Sequence, residues 1–299
     1  MIILGFIVAL LTALVWGFAS VLTKIVFSKG ANPLEYNAIR AFPVFLFMLS
    51  LVIVMGYLND FLSIDLYVIL ILLVVTFLGI FLGDTLYFFG IRDCGVTVAV
   101  PIAYTYPFFA YVFAYFLVGE TPTIWIIIAG FLISLGIYLL SKSSNNSGIA
   151  NPKKFKRGVL FTITSAISFG LGTTIAKIAL LSTTAIVAAT YRLLLLGLLL
   201  LPYLTIQHNR IKQFSKREII FMIIVGIIGT GVGGLFYFTA LEIIGVSITS
   251  TIAATSPFHS ALFATIILKE NITREKVIGM ALTVGGTLLI LLQVFCFIP

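Results

Sequence analysis

The chain has 299 residues, of which 61% are hydrophobic and 9% charged, against about 25% charged in a soluble domain. A mean hydropathy of +1.21 excludes a water-soluble globular protein. The formal net charge of +8 sits in short loops, a pattern of membrane orientation rather than of a nucleic-acid partner.

Apolar runs of about 20 residues recur along the chain, the length that crosses roughly 30 Å of hydrocarbon. In lipid the backbone must satisfy its own hydrogen bonds, so such spans are helices. Ten are predicted. In the first half they cover 3–27, 36–57, 67–91, 96–118 and 123–141; in the second, 157–181, 184–205, 218–242, 246–268 and 274–297. The first is too long, and lacks the basic leading segment, for a cleaved signal peptide. Between the halves lies SKSSNNSGIANPKKFKR, Ser141 to Arg157, polar and basic. It reads as a linker, 142–156, between five-helix units at 1–141 and 157–299. The expected fold is all-α, a polytopic membrane protein.

The halves share a sequence. Gly83 to Glu120, slid 150 positions, falls without a gap on Gly233 to Glu270, and 13 of the 38 aligned pairs are identical. Among them are Tyr87/Tyr237, Gly95/Gly245, Pro107/Pro257 and Glu120/Glu270. This is an internal repeat. Five spans per unit is an odd number, so the second unit must begin on the opposite side of the membrane. The units are expected to be inverted repeats, as in many secondary transporters.

The loops after spans 5, 7 and 9 carry Lys153, Lys154, Lys156 and Arg157, then Arg210, Lys212, Lys216 and Arg217, then Lys269, Arg274 and Lys276. Those after spans 2, 4, 6 and 8 carry Asp60, Asp65, Glu120 and Glu242 and no Lys or Arg. The positive-inside rule places the odd loops in the cytoplasm and both termini outside, in a plasma-membrane protein.

Proline marks the first candidate site. Pro107 and Pro257 fall near the middle of spans 4 and 9, where each kinks its helix. Interrupted helices at matching positions of two halves point to a binding site at the membrane midplane. Pro101 adds a second interruption to span 4, where span 9 has Thr251. Ionisable groups at membrane depth come next: Asp84, opposite Gly234, and His259, opposite Phe109. A charge in lipid costs about 2.5–3.5 kcal/mol, so such groups usually face a cavity or a partner. Both are candidates for proton coupling, and packing is the alternative for each. Lys24 aligns with Lys177 and Arg40 with Arg192, as charge contacts or as side chains reaching for headgroups. Trp16, Tyr87, Tyr104, Tyr106, Tyr111 and Tyr237 pair a flat apolar face with a polar atom. Gly79, Gly83, Gly229 and Gly233 repeat the small-residue spacing of close helix packing. Glu120 and Glu270 read as structural, ending the fourth helix of each unit. Cys94 and Cys296 have no metal-ligand spacing. No catalytic residue, metal site or cofactor is expected.

These residues recur in order. Each unit has an aromatic-Gly pair and a Lys in its first helix (WGFASVLTK and FGLGTTIAK), and an Arg in its second. Each then has a Gly-Val-Thr or Gly-Val-Ser step, a mid-helix proline and a final Glu. The pattern resembles the EamA-type branch of the drug/metabolite transporter superfamily. The resemblance implies ten helices around a central cavity beside Pro107 and Pro257, and export or exchange of amino acids, nucleotides, sugars or other metabolites. Asp84 and His259 lie outside the family's common pattern. The expectation is a secondary transporter, monomer or homodimer, moving a small organic metabolite by alternating access. Without a Walker-type loop, no nucleotide hydrolysis is expected. A channel or lipid scramblase is the first rival. An intramembrane enzyme is the second, although its cluster of acids and histidines is missing.

Overall fold

In the computed structural model the described residues, 1–94, 96–142, 152–267 and 273–296, hold helices, turns and no strand. Gly95, most of the linker, Lys269 and Glu270 lie outside the described residues. So do the side chains of Lys24, Arg92, Pro101, Lys276 and Cys296.

Local chemistry starts and stops the helices. After α1 (Ile2–Ser28), α2 (Pro33–Val54) opens on a capping box. The Asn32 side chain accepts from the Glu35 N–H at 2.9 Å, and the Glu35 carboxylate accepts from the Asn32 N–H at 2.7 Å, with Pro33 at the first helical position. A short helix, α3 (Leu58–Leu62), precedes α4 (Leu66–Thr76), which Asp65 caps through the Tyr67 N–H at 2.8 Å. That helix continues through a π-helical stretch, π1 (Phe77–Asp84), into α5 (Thr85–Cys94). The expected fourth span is cut in two: α6 (Val96–Ala103) stops at Tyr104–Thr105, and α7 (Tyr106–Val118) restarts with Pro107 in its first turn.

Then follow α8 (Ile124–Lys142), α9 (Pro152–Ala179), α10 (Ala185–Ile206) and the short α11 (His208–Ile211). A second capping box, Ser215 with Glu218, starts α12 (Lys216–Gly226). It runs through π2 (Ile227–Val232) into α13 (Gly233–Ala253), and α14 (Ser256–Ile267) and α15 (Arg274–Cys296) complete the order. The expected break between spans 8 and 9 lies inside α13, at Gly245 with φ 78° and ψ −177°, a conformation essentially confined to glycine. Six helices among the described residues are long and apolar enough to cross a membrane, and four shorter apolar helices accompany them. Two of the shorter pieces, Tyr106–Val118 and Ser256–Ile267, begin at the breaks beside Pro107 and Pro257. The chain is a multi-pass integral membrane protein.

The two π-helical stretches start at Phe77 and Ile227, and the two breaks fall at 104–105 and 254–255. Both pairs stand 150 residues apart, the spacing of the sequence repeat. Packing follows the same spacing. The first helix, α1, lies along α13 and α14, while α9 lies along α5 and α7. Where α1 crosses α14, a Cβ on Gly17 would stand 2.5 Å from the Cβ of His259 and 2.8 Å from the backbone N of Ser260. Where α9 crosses α7, a Cβ on Gly170 would stand 2.8 Å from the Cβ of Phe109 and the N of Ala110. Only glycine lets these backbones approach so closely. Elsewhere α2 packs on α10 and α8 on α15.

Candidate functional site

The breaks and π stretches surround a cavity of about 560 Å³. Its walls come from α1, α2, the α4–π1–α5 helix, α6 and α7, α9, α10, π2, α13 and α14. Lining residues include Phe27 in the last turn of α1, Tyr36 in the first turn of α2 and Ala264 in the last turn of α14. All three lie next to odd loops, so the cavity reaches toward the basic face. At the opposite face the helix ends are packed. Phe61 and Tyr191 stack with centroids 4.4 Å apart, and the Tyr191 hydroxyl donates to the Phe61 carbonyl at 2.9 Å.

A π-helical turn leaves carbonyls without their usual intrahelical partners, and the cavity side chains use them. The Trp16 indole N–H donates to the Gly229 carbonyl at 3.0 Å. Arg192 Nη2 donates to the Thr230 carbonyl at 3.5 Å, and its guanidinium lies 4.8 Å from the centroid of the Phe238 ring. Its place exists because position 234 is glycine, where a Cβ would collide with Nη2. In the other half the guanidinium of Arg40 is held by its own helix. Nη1 donates to the Tyr36 hydroxyl at 3.1 Å and Nη2 to Asn37 Oδ1 at 2.6 Å, with the Tyr36 ring 4.2 Å away.

Arg40 and Arg192 each sit seven residues into their helices, 8% and 9% exposed, and the Nε of each is buried with no hydrogen-bond partner. Asp84, the last residue of π1, lines the same cavity within electrostatic range of both. Among the described residues no hydrogen bond or contact ion pair reaches its carboxylate.

Trp16, Asp84, Tyr87, Tyr104, Tyr106, Tyr237 and Pro257 all line this cavity, together with Arg40 and Arg192. Several are fixed by bonds between the halves. The Tyr106 hydroxyl donates to the Ser250 carbonyl at 3.0 Å, and Ser256 Oγ donates to the Tyr104 hydroxyl at 3.2 Å. Within the second half, the Tyr237 and Thr173 hydroxyls are 2.7 Å apart. Trp16 and Tyr237 pack at 4.9 Å between centroids. Tyr111, buried off the lining, shares a short hydrogen bond with Thr251.

Three further candidates stand elsewhere. Pro107 is buried off the lining. His259 points away, with Nδ1 3.2 Å from the Thr255 carbonyl and Phe258 edge-on at 4.9 Å. Lys177 lies at the Gly245 junction. Its Nζ donates to the carbonyls of Leu241 and Glu242 at 2.8 and 2.9 Å, closing the carbonyl end of one helix. Glu120 closes the amide end of the next, accepting from the N–H of Val246 at 2.7 Å and from the N–H and hydroxyl of Ser247 at 3.0 and 3.1 Å. Each charge suits the helix end it faces. Cavity residues that sequence reasoning missed include Tyr36, Asn37 and Thr173. The first two stand four and three positions before Arg40, and that spacing on one helix face was the available signal.

The model of the EamA-like transporter family matches residues 3–142 and again 156–292. The chain belongs to this family, within the drug/metabolite transporter superfamily. An uncharacterised transporter of Archaeoglobus fulgidus is 24% identical over 229 residues, 77% of this chain and 78% of that one. YyaM of Bacillus subtilis, also an uncharacterised transporter, is 31% identical over 111 residues, about a third of each chain (36% and 35%). A solved crystal structure superposes with a TM-score of 0.80 over 97% of both chains at 16% identity, a likeness of fold. Family and relatives mark this EamA-like protein as a membrane transporter.

Proposed function

We propose that this protein is a secondary transporter that carries a small organic metabolite by alternating access around the aromatic cavity. Its units, 1–141 and 157–299, are inverted five-helix repeats joined by the 142–156 linker, and together they span the membrane ten times. The basic odd loops face the cytoplasm. Matching breaks, π stretches and glycine contacts 150 to 153 residues apart support the repeat. Rocking one unit against the other then exchanges access to the two faces.

One observation carries the reading: Arg40, Arg192 and Asp84 face one aromatic-lined space with hydrogen-bonding capacity unspent. Charges at membrane depth are expensive and are kept where a ligand or ion passes. Asp84 is the coupling residue if a proton drives the flux, because it alone of the two proposed proton carriers, Asp84 and His259, lines the cavity. The test is flux of labelled metabolites into proteoliposomes with and without a pH gradient. Saturable uptake is expected, stimulated by the gradient and indifferent to it after Asp84→Asn. Unsaturable flux would instead identify a channel or scramblase.

A further inference from the structure

The charges of the cavity define the charge of its ligand. The lining holds two guanidiniums and one carboxyl group, those of Arg40, Arg192 and Asp84, among the described residues. Two cations and one anion leave one positive charge. When the cavity is closed off from water, a net charge of that size is stable only if the occupant cancels it, since an uncompensated buried charge is strongly unfavourable. A zwitterionic ligand would leave the excess in place, and a cationic one would add to it.

The two guanidiniums are not equivalent. Arg40 spends Nη1 and Nη2 on Tyr36 and Asn37. Arg192, with five N–H donors to place, spends one on a 3.5 Å bond to the Thr230 carbonyl, and its Nε is buried and unpartnered. A carboxylate meets such a fork with two parallel hydrogen bonds. Around it the walls are rings, Trp16, Tyr87 and Phe238 among them, which suit a flat apolar body rather than a second charged group.

We infer that the ligand is an organic monoanion, a carboxylate on an aromatic or similarly flat apolar body, gripped by Arg192 while Asp84 offsets Arg40. The inference rests on the reading of this cavity as the substrate site, and it concerns binding, so it stands or falls apart from transport. Trp16 lies in the cavity wall, and Trp125, exposed on the outer surface, is the second tryptophan. The purified full-length chain carrying Trp125→Phe therefore reports cavity binding through Trp16 fluorescence.

The probes share a phenyl body and differ in charge: 3-phenylpropionate (−1), phenylalanine (zwitterion), 2-phenylethylamine (+1) and phenylsuccinate (−2). The expected order places 3-phenylpropionate first, about tenfold or more tighter than phenylalanine, with the amine weakest. Arg192→Gln abolishes that preference, while Arg192→Lys keeps the charge order at lower affinity. Asp84→Asn raises the cavity charge by one and moves the preference from 3-phenylpropionate to phenylsuccinate. The inference is overturned by phenylalanine binding as tightly as 3-phenylpropionate. It is equally overturned by an Asp84→Asn protein that keeps the monoanion first, or by no saturable change with 3-phenylpropionate. Binding in this order without flux in proteoliposomes would leave the inference standing and remove the transporter reading.

Discussion

Ion pairs join the halves of this molecule at Asp93–Arg157 and Glu35–Arg210, but two further gatherings of charge are treated oppositely. At the Gly245 junction every charge is used. Glu120 accepts from three donors on Val246 and Ser247, Lys177 donates to two carbonyls, and Glu242 accepts from the Ala185 N–H at 3.2 Å. In the cavity, Arg40 and Arg192 keep unpartnered Nε atoms, and Asp84 takes no hydrogen bond from the described residues. Fully bonded charges have nothing left to offer a ligand and so hold a backbone break in place. Charges with unspent donors and acceptors are what a bound molecule completes. The junction is therefore architecture, and the cavity is the proposed site.

The largest effect that would break this contrast is expected at Gly245. Its φ of 78° with ψ of −177° excludes side chains, and a Cβ would stand 2.5 Å from Glu120 Oε1. Gly245→Ala should cost about 3 kcal/mol, the backbone strain plus the displaced carboxylate, read as a clear drop in the thermal midpoint of the purified protein. A midpoint near that of the parent would mean that the junction is not a rigid lock.

Glu120→Gln comes second. It keeps the shape but turns two donors of Gln toward backbone donors and removes the charge, for about 1.5–3 kcal/mol. Ligand preference should stay unchanged, since Glu120 does not line the cavity. A shift in preference at unchanged stability would reverse the roles assigned to the two regions.

The sequence made one of these regions more legible than the other, for physical reasons. Pro107 and Pro257 announce helix breaks because proline lacks the N–H the helix needs, and the breaks lie just before them. Asp84, Arg40 and Arg192 stand out because a charge in an apolar run is rare and costly. The π stretches have no residue signature; they show only in hydrogen-bond register, yet they free the carbonyls that seat Trp16 and Arg192. Glu120 is 126 residues from its partner Val246, so sequence gives its structural role without the cap it forms. His259 shows the limit of a local argument. It follows Pro257 by two residues, and at about 100° per residue it lies on nearly the opposite side of the helix, against Gly17 rather than in the cavity.

The smallest effect on stability is expected from the same chemical change made inside the cavity. Asp84→Asn, like Glu120→Gln, replaces a carboxylate by an amide of equal size. No hydrogen bond from the described residues is lost with it. Removing a desolvated charge is favourable, while losing its attraction to Arg40 and Arg192 is unfavourable, and such opposing terms largely cancel for buried charges. The thermal midpoint should therefore move by the equivalent of about 1 kcal/mol or less in either direction. Ligand preference, by contrast, should change sign. Run side by side, the two amide substitutions separate the regions: one lowers stability and spares selectivity, the other does the reverse. Equal losses of stability would show that Asp84 is bonded into the framework as firmly as Glu120, and the cavity would then have to find its selectivity in the arginines alone.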